Sequence, residues 1–187
     1  MNVGNTPCIK LSDKLYGKLE SVNPGGSIKD RPVKYILDRM DLEKGDTIIE
    51  ATSGNTGISL AMMCAERGYK CVIVMPSDMS EERKKMMKFF GADLEEVDAG
   101  DFDEAIAYKE ELAQWYGYKE LNQFNNPLNI ECHHKTTFKE IYDFHGLNFL
   151  DLSRKHAISA FVLGTGTGGT LMGLQRGVEE YNLNTDT

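Results

Sequence analysis

Strand-like and helix-like segments alternate regularly between residues 47 and 115, and this alternation constrains the fold more than any other feature of the sequence. The apolar run Cys71–Met75 is typical of a strand buried on both faces, and shorter strand patterns occupy 47–50 and 94–97. Three segments have helical patterns, at 58–67, 80–90 and 101–115. Because strands that alternate with helices form parallel sheets through right-handed crossovers, the sequence predicts an α/β fold.

A cluster of amide side chains at Leu121–Pro127 interrupts this alternation. Beyond it we predict a helix from about Ile130 to Phe144, a strand over Ala157–Leu163 and a last helix from Thr170 to Tyr181. A further helix is predicted ahead of the alternation, from Val33 to Met40, since the proline directly before it suits a first helical turn.

Composition and charge exclude several classes of function. The 187-residue chain has a formal net charge of -8, whereas general nucleic-acid binding requires a basic face. No apolar run approaches membrane-spanning length, and the first residues lack the charged-then-apolar layout of a signal peptide. We therefore expect a cytoplasmic protein that binds neither nucleic acid nor membrane.

The cysteines do not predict a metal site. They form no Cys-x-x-Cys pair and have no metal-ligand spacing, so reduced thiols are expected at Cys8, Cys64, Cys71 and Cys132. Two histidines, His133 and His134, directly follow Cys132. Adjacent helical residues point in different directions, however, and three in a row do not converge easily on one ion.

A glycine turn places one lysine at a stiff corner of the chain. Asn23–Gly26 has the composition of a turn, because proline fixes one backbone angle and the glycines accept conformations closed to other residues. Lys29 follows at once, ahead of the first predicted helix. Burial there would lower the pKa of the amine and make it nucleophilic, although a lysine after a turn is more commonly a solvated surface residue.

A second glycine-rich loop, Gly164–Gly169, lies between the predicted strand 157–163 and the last helix. Glycines let backbone amides approach a ligand, and a helix N-terminus adds partial positive charge, so the loop predicts phosphate binding rather than a simple turn. Hydroxyl donors are available from Thr165, Thr167 and Thr170. The spacing also fits a dinucleotide fingerprint, but that reading requires an acidic residue after a following strand, and it leaves the lysine corner unexplained.

A third loop, Thr52–Gly57, follows the strand 47–50 and opens a helix. Its hydroxyls, amide and backbone donors suit a carboxylate, and Asn55 is placed to contact a ring hydroxyl. Gln123, in the amide cluster, offers a further polar contact. Taken alone, the loop would indicate only a helix cap. Together, an amine, a phosphate loop and a carboxylate loop predict pyridoxal phosphate with an amino-acid substrate.

Five motifs in this order resemble the cysteine synthase (O-acetylserine sulfhydrylase) family of fold-type II pyridoxal-phosphate enzymes. They are NPGGSIKDR at 23–31, EATSGNTG at 50–57, MPxxMS at 75–80, QFNNP at 123–127 and GTGTGG at 164–169. EATSGNTG and QFNNP lean toward the B-type isozyme, while GTGTGG is closer to the A-type. Cystathionine β-synthase shares most of these motifs, so its activity is an alternative.

The resemblance implies a β-replacement that forms L-cysteine from O-acetyl-L-serine and sulfide. Lys29 is implied as the Schiff-base lysine and the proton carrier at Cα, and Asn55 as the contact to the ring hydroxyl. The substrate carboxylate would be held by Thr52, Ser53, Gly54, Thr56 and Gln123. The phosphate would be held by Gly164, Thr165, Gly166, Thr167 and Gly168.

The family also implies two α/β lobes with the active site between them. The larger, cofactor-binding lobe would comprise 1–32 and 122–187, and the smaller, mobile lobe 33–121. Members of the family are longer, so the larger lobe is expected to be incomplete, and the chain to be a fragment or a reduced natural form. Phe138 stands where a glycine commonly follows the Thr-Thr pair.

The resemblance implies a homodimer and leaves a non-catalytic alternative. Cysteine synthases bind the C-terminal tail of serine acetyltransferase in the active-site cleft. A truncated paralogue with an intact carboxylate loop would retain that binding without catalysis. A nucleotide-binding module is the third reading, and it predicts NAD binding that Lys29→Ala does not affect. The sequence does not distinguish sulfide, thiosulfate and homocysteine as acceptors.

Overall fold

The computed structural model of the protein describes residues 1–144 and 158–183. Its strands are β1 (Cys8–Lys10), β2 (Tyr16–Lys18), β3 (Thr47–Ala51), β4 (Lys70–Pro76), β5 (Asp93–Val97) and β6 (Lys119–Glu120). Its helices are α1 (Asp30–Leu37), α2 (Asn55–Arg67), α3 (Glu81–Phe89), α4 (Phe102–Tyr116), α5 (Pro127–Cys132), α6 (Lys139–Phe144) and α7 (Gly169–Glu180). A π-helical turn, His133–Phe138, joins α5 to α6.

The main sheet has the strand order β5-β4-β3-β6, and its neighbouring strands are parallel. Alternate side chains of β3 and β4 face opposite ways: Ile48 and Ile73 pack with α1 and α2, whereas Ile49 and Val74 pack with α4. Helices therefore cover both faces, which explains the unbroken apolar run in β4. The predicted α/β fold is confirmed.

Two helices begin three residues earlier than predicted, and both shifts concern functional loops. Helix α1 begins at Asp30, directly after Lys29. Pro32 is accepted in its first turn, where a missing backbone N–H costs little. Helix α2 begins at Asn55, so part of the 52–57 loop forms its first turn. The lysine and the carboxylate loop thus each adjoin a helix N-terminus.

The helical segment predicted from Ile130 begins at Pro127 and contains a π-helical turn. Its start is fixed by Asn126, whose side chain accepts a hydrogen bond of 3.1 Å from the N–H of Leu128. The π-helical turn coincides with Thr136, whose hydroxyl donates to the carbonyl of Cys132 at 2.8 Å. A side chain that takes a backbone acceptor in this way competes with the regular helical ladder.

The strand predicted at Ala157–Leu163 is wrong over residues 158–163, while Ala157 lies outside the described residues. A strand is stabilised by a neighbour that pairs with its backbone, and no described strand pairs with this segment. Val162 is 94% exposed, whereas its neighbours Phe161 and Leu163 pack on an apolar cluster between the last helices. Side-chain packing therefore holds this segment, which pairs with no described strand.

Helix α7 lies very close to the α5–α6 segment through glycines spaced by four residues, at Gly169, Gly173 and Gly177. A Cβ atom at Gly173 would lie 2.5 Å from the Cβ of His133, and one at Gly177 would lie 2.3 Å from the ring of Phe138. The missing side chains permit this approach, which brings the N-terminus of α7 to the end of α5. Phe138 fills the space above Gly177.

No helix in residues 1–144 or 158–183 combines the length and apolar character needed to cross a membrane. The sheet β5-β4-β3-β6 lies within the segment 33–121. The division into lobes of 1–32 with 122–187 and of 33–121 stays a prediction.

Candidate active site

Lys29 occupies the position directly before α1, and its amine is partly buried. Its backbone N–H donates to the Ser27 hydroxyl at 3.2 Å, which tightens the corner. Burial lowers the pKa of the Lys29 amine. Within the described ranges, no hydrogen bond or ion pair engages its Nζ. The partial burial differs from the solvated position that is more common for a lysine after a turn, and the role of Lys29 as the Schiff-base residue stays a prediction.

Asp30 fixes the turn that precedes the lysine. One carboxylate oxygen accepts from the N–H of Gly25 at 2.6 Å, and the other accepts from the hydroxyl of Ser59 in α2. Asp30 is fully buried, so these bonds offset the cost of removing the carboxylate from water. The contact joins the glycine turn at Asn23–Gly26 to the helix that follows the carboxylate loop.

A buried ion network holds the other side of α1. The guanidinium of Arg31 contacts Glu20 and Glu140 with N–O distances of 2.7 Å each, and Lys18 contacts Glu140 at 2.6 Å. Burial opposes ionisation of Glu140, but the hydrogen bonds from Arg31 and Lys18 outweigh it and lower its pKa to about 2. This network pins the N-terminal hairpin and α6 to the start of α1, one residue beyond Asp30.

The carboxylate loop turns from β3 into α2. Thr52 and Thr56 are buried, Ser53 and Gly54 are half-buried, and Asn55 is exposed. The Thr52 hydroxyl accepts from the N–H of Gly54 at 3.3 Å. These positions form the N-terminus of a 13-residue helix, whose unpaired backbone amides favour an anion.

Gln123 lies beside this loop, as the sequence predicts, and is buried. Its Oε1 accepts from the hydroxyl of Thr56 at 2.7 Å. Its own N–H donates to Glu50 at 3.0 Å, and Glu50 also accepts from the N–H of Ala51 at 3.0 Å. Burial raises the pKa of Glu50 to about 7, against the lowering effect of these hydrogen bonds. The buried Glu50 carboxyl thus binds the backbone of Gln123 and of Ala51, directly before the carboxylate loop.

The phosphate loop leads into the 12-residue helix α7. Residues 164–166 are exposed, and Thr167 and Gly168 are half-buried. Gly168 has φ of +76°, a left-handed conformation that a glycine adopts without strain. The N–H of Gly169 points back to the Thr167 hydroxyl at 3.4 Å. Backbone amides and hydroxyls thus converge at the N-terminus of a long helix, which is a suitable site for a phosphate.

Asn129 connects the carboxylate and phosphate loops. Its Nδ2 donates to the carbonyl oxygen of Gln123 at 2.9 Å and to the hydroxyl of Thr167 at 3.0 Å. Because Gln123 also accepts from Thr56, a chain of hydrogen bonds runs from one loop to the other. The structure therefore brings together the two loops that the sequence predicts as anion sites.

His133 extends this arrangement toward the lysine. Its Nδ1 is 2.9 Å from the hydroxyl of Thr137, and its Nε2 is 3.3 Å from that of Thr170, in the first turn of α7. Burial, followed by the positive charges of Lys29 and Arg31, lowers the pKa of His133 to about 4. A neutral imidazole therefore lies between the lysine and the phosphate loop.

Sequence reasoning missed several residues that assemble this site. Asn129 and His133 lie four residues apart and share one face of the helical segment. The signal in the sequence was the spacing of Gly169, Gly173 and Gly177, because repeated glycines in a helix indicate that another helix packs closely. The partners of Arg31, Glu20 and Glu140, gave no local signal.

Comparison with known proteins identifies the family. Residues 1–187 match the family described as pyridoxal-phosphate dependent enzyme. The chain belongs to this family. Over 184 aligned residues it is 42% identical to a cysteine synthase of Staphylococcus aureus strain Mu50, covering 92% of this chain and 57% of that protein. Cysteine synthase B of Pseudomonas aeruginosa is 41% identical, covering 96% of this chain and 61% of that protein.

Solved structures give the same assignment. The crystal structure of O-ureido-L-serine synthase superimposes with a TM-score of 0.88 at 35% identity, covering 98% of this chain and 59% of that one. The expected resemblance to cysteine synthase, the fold and the cofactor class are therefore confirmed. The chain spans about 57% of the length of its Staphylococcus relative.

The described residues fit pyridoxal phosphate. Lys29 offers a partly buried amine that no residue in 1–144 or 158–183 engages, and this amine is available to bind the aldehyde. A Cβ placed at Gly164 or Gly166 would meet no atom within 4 Å, so space remains around the loop for a phosphate group. The individual assignments at the cofactor and substrate sites, including Asn55 as the contact to the ring hydroxyl, stay predictions.

Proposed function

We propose that this chain carries the active-site half of a cysteine synthase, which forms L-cysteine from O-acetyl-L-serine and sulfide. The observation that carries the proposal is the Lys29 amine, which burial makes less basic and which no described acid neutralises. Asn129 holds two anion-ready loops together, and His133, whose pKa is lowered by burial and then by the positive charge of Lys29, contacts the helix that the phosphate loop opens. The names of the curated relatives support the same reaction.

Two sets of residues would bind the two anionic ends of cofactor and substrate. Gly164, Thr165, Gly166, Thr167 and Gly168 would bind the cofactor phosphate through backbone amides and hydroxyls. Thr52, Ser53, Gly54, Thr56 and Gln123 would bind the substrate carboxylate, with α2 contributing its N-terminus. Asn55 would contact the ring hydroxyl of the cofactor. Together these contacts would orient the substrate for proton transfer at Cα.

Lys29 would perform the proton transfers. Bound pyridoxal phosphate supplies an electron sink that acidifies the substrate Cα. The Lys29 amine would take the Cα proton, the bond between Cβ and the acetate oxygen would break, and acetate would leave. Sulfide then forms the bond to Cβ, and Lys29 returns a proton to Cα. A lowered lysine pKa suits this role, because only the neutral amine accepts a proton near neutral pH.

The two predicted lobes would close around the substrate. We assign the larger lobe to 1–32 with 122–187 and the smaller lobe to 33–121, which carries the loop 52–57. Closure of this loop over the bound carboxylate would exclude water from the reacting carbon. The Thr56–Gln123 hydrogen bond is the contact across that division nearest to the substrate loop.

Covalent capture of the cofactor tests the proposal directly. The protein is incubated with pyridoxal phosphate, reduced with borohydride and digested, and the modified peptide is identified by mass spectrometry. We expect the label on Lys29, its loss in Lys29→Ala and its retention in the matched control Lys34→Ala, which changes a lysine in the helix that follows Lys29. Cysteine formation should fall about 10²- to 10⁴-fold in Lys29→Ala. A label spread over surface lysines would refute the proposal.

The acceptor is tested in the same assay. The fold also supports an O-ureido-L-serine synthase, so relatives of this fold make different products. Sulfide, thiosulfate and homocysteine are supplied in turn with O-acetyl-L-serine. Product from sulfide alone supports a cysteine synthase, whereas product from homocysteine supports a cystathionine β-synthase-like reaction.

A non-catalytic role is the second candidate, and the intact carboxylate loop favours it. The same donors would bind the C-terminal carboxylate of serine acetyltransferase. A peptide of that tail should bind, its C-terminally amidated form should not, and Thr56→Val should weaken the free-acid form, since the Thr56–Gln123 pair organises the loop. Binding without any labelling of Lys29 would favour this role. We further propose that the protein is cytoplasmic and forms a homodimer. Sedimentation measurements test the dimer.

A further inference from the structure

Asn129 has a hydrogen-bonding pattern that structural support of its own helix does not require. The side chain is buried, with 4% of the residue exposed, and both of its donated bonds leave the helix, toward Gln123 and Thr167. The helix cap is supplied separately by Asn126, which accepts from Leu128. Asn129 therefore acts between elements rather than within α5.

The orientation of this amide is fixed by its surroundings. The Nδ2 atom faces two acceptors, a carbonyl oxygen and a hydroxyl oxygen, so the opposite orientation would place Oδ1 against the Gln123 carbonyl. The Oδ1 atom is buried and has no hydrogen-bond partner among the described residues. A Cβ at Gly169 would lie 2.3 Å from this oxygen, so the glycine provides the room that the amide occupies.

The hydroxyl of Thr167 is thereby committed as a donor. Its oxygen accepts from Asn129 at 3.0 Å and, more weakly, from the N–H of Gly169 at 3.4 Å. A hydroxyl has one proton to donate and two lone pairs to accept with. Since both lone pairs are engaged, its proton is directed away from the protein amides and is available to an anion at the loop.

The same amide reaches the carboxylate loop through one residue. Its bond to the carbonyl of Gln123 fixes the backbone of that residue, whose side chain accepts from Thr56. The path Thr56–Gln123–Asn129–Thr167 is continuous and largely buried. A shift of the carboxylate loop is therefore transmitted to the phosphate loop through groups with little freedom to compensate.

We propose that Asn129 is a positioning residue that directs the Thr167 hydroxyl toward the cofactor phosphate and couples that contact to the substrate-carboxylate loop through Gln123. The inference rests on the proposed function. Binding at either loop orders the shared bridge, so occupation of one site tightens the other, and this coupling is reciprocal.

Three variants test the direction of the Thr167 proton. Asn129→Leu removes both donated bonds with similar volume, Thr167→Val removes the hydroxyl with the same shape, and Asn129→Asp converts the donor into an acceptor that takes the Thr167 proton. We expect the dissociation constant for pyridoxal phosphate to rise about ten- to hundredfold in the first two, as for one lost bond to a charged group. Asn129→Asp should bind pyridoxal phosphate more weakly than either of these variants. Asn125→Asp, exposed in the same amide cluster, is the matched control.

The order of the variants separates positioning from simple packing. If Asn129 only fills space, the near-isosteric Asn129→Asp is the milder change and Asn129→Leu the more severe, which is the reverse of our expectation. The double variant Asn129→Leu/Thr167→Val should bind the cofactor no more weakly than either single variant, because both remove one contact. Multiplying effects would overturn the inference.

Spectroscopy and linkage give readouts independent of turnover. The ³¹P resonance of bound cofactor should move in the same direction in Asn129→Leu and Thr167→Val and stay in place in Asn125→Asp. In the wild type, L-serine should lower the dissociation constant for pyridoxal phosphate, and Asn129→Leu should abolish this effect. An unmoved resonance, or retained coupling in the variant, would overturn the inference.

Failure of the proposed function leads to a different result. If the wild type forms no adduct at Lys29, the proposed reaction fails, and the same variants are measured with inorganic phosphate as the probe, by protection against thermal unfolding. Non-additive loss of phosphate protection would still support the positioning role. A wild type that binds neither pyridoxal phosphate nor inorganic phosphate overturns both proposals.

Discussion

The buried side chains Glu50 and His133 have pKa values shifted in opposite directions. Their effects on the pH dependence of stability oppose each other, so we expect each effect to become measurable when the other side chain is replaced. Glu50 has a pKa of about 7 in the folded protein against 4.5 in the unfolded chain, because burial disfavours its charge. Between these values the unfolded chain has released the proton that the folded protein keeps. Stability therefore falls as pH rises from 4.5 to 7, by about 3 kcal/mol in total.

His133 acts in the opposite direction over nearly the same interval. Burial and the charges of Lys29 and Arg31 lower its pKa to about 4, against 6.5 in the unfolded chain. Below pH 6.5, His133 takes up a proton in the unfolded chain but stays neutral in the folded protein. Stability therefore falls as pH drops from 6.5 to 4, again by about 3 kcal/mol. From pH 4.5 to 6.5 the two contributions cancel.

Substitution uncovers each contribution. Glu50→Gln leaves only the histidine effect, so we expect the free energy of unfolding to rise by about 2 kcal/mol from pH 4.5 to 6.5. His133→Gln leaves the carboxyl effect, so stability should fall by a similar amount. Urea unfolding followed by circular dichroism should show opposite movements of the midpoint, of roughly 1 to 2 M for a typical slope. The double variant should follow the profile of the wild type.

The profile of Glu50→Gln is decisive even if His133→Gln folds poorly. The matched control is Glu95→Gln, an exposed glutamate on β5, which should follow the wild type. Glu140 does not interfere, because its pKa of about 2 places its loss of stability below pH 4.5. A Glu50→Gln profile parallel to that of the wild type would refute the reasoning.

Two further predictions concern packing and the ion network. Gly177→Ala places a methyl group 2.3 Å from the Phe138 ring and should lower the free energy of unfolding by about 1 to 3 kcal/mol; Phe138→Leu should recover part of this loss, and an unchanged thermal midpoint would contradict the close packing. Arg31→Met leaves Glu20 and Glu140 without their buried partner and should cost about 3 to 5 kcal/mol in urea unfolding. A loss below 1 kcal/mol would show that water compensates for the lost pair.

Local patterns predicted the elements whose stability is decided locally. The apolar run in β4 indicated a central strand, and the glycines at 25–26 and 164–168 indicated turns that lead into helices. The strand predicted at 157–163 was wrong over residues 158–163, because an apolar segment forms a strand only beside another strand. Its residues Phe161 and Leu163 pack on side chains instead. Periodicity contains no information about such a neighbour.

The contacts that assemble the site are separated widely along the chain, which explains why sequence reasoning missed them. Arg31 and Glu140 are 109 residues apart, and Asn129 and Thr167 are 38 apart. Arg31 and Thr167 lie in motifs that the sequence singles out, but nothing in the local sequence identifies their partners Glu140 and Asn129. Lys29 was predicted because its turn and its helix are adjacent to it. Asn129 and Glu140 were not predicted, because their roles depend on packing between helices.

The charges around the lysine support its chemical role. Asp30, its neighbour, is turned toward Gly25 and Ser59, and Glu20 and Glu140 are held by Arg31. In residues 1–144 and 158–183, no carboxylate is left to neutralise the Lys29 amine, so burial lowers its pKa. A negatively charged partner would have raised that pKa and competed with an anionic ligand. The ion network thus removes the nearby acids from Lys29, and the amine stays available to an aldehyde or to the Cα proton.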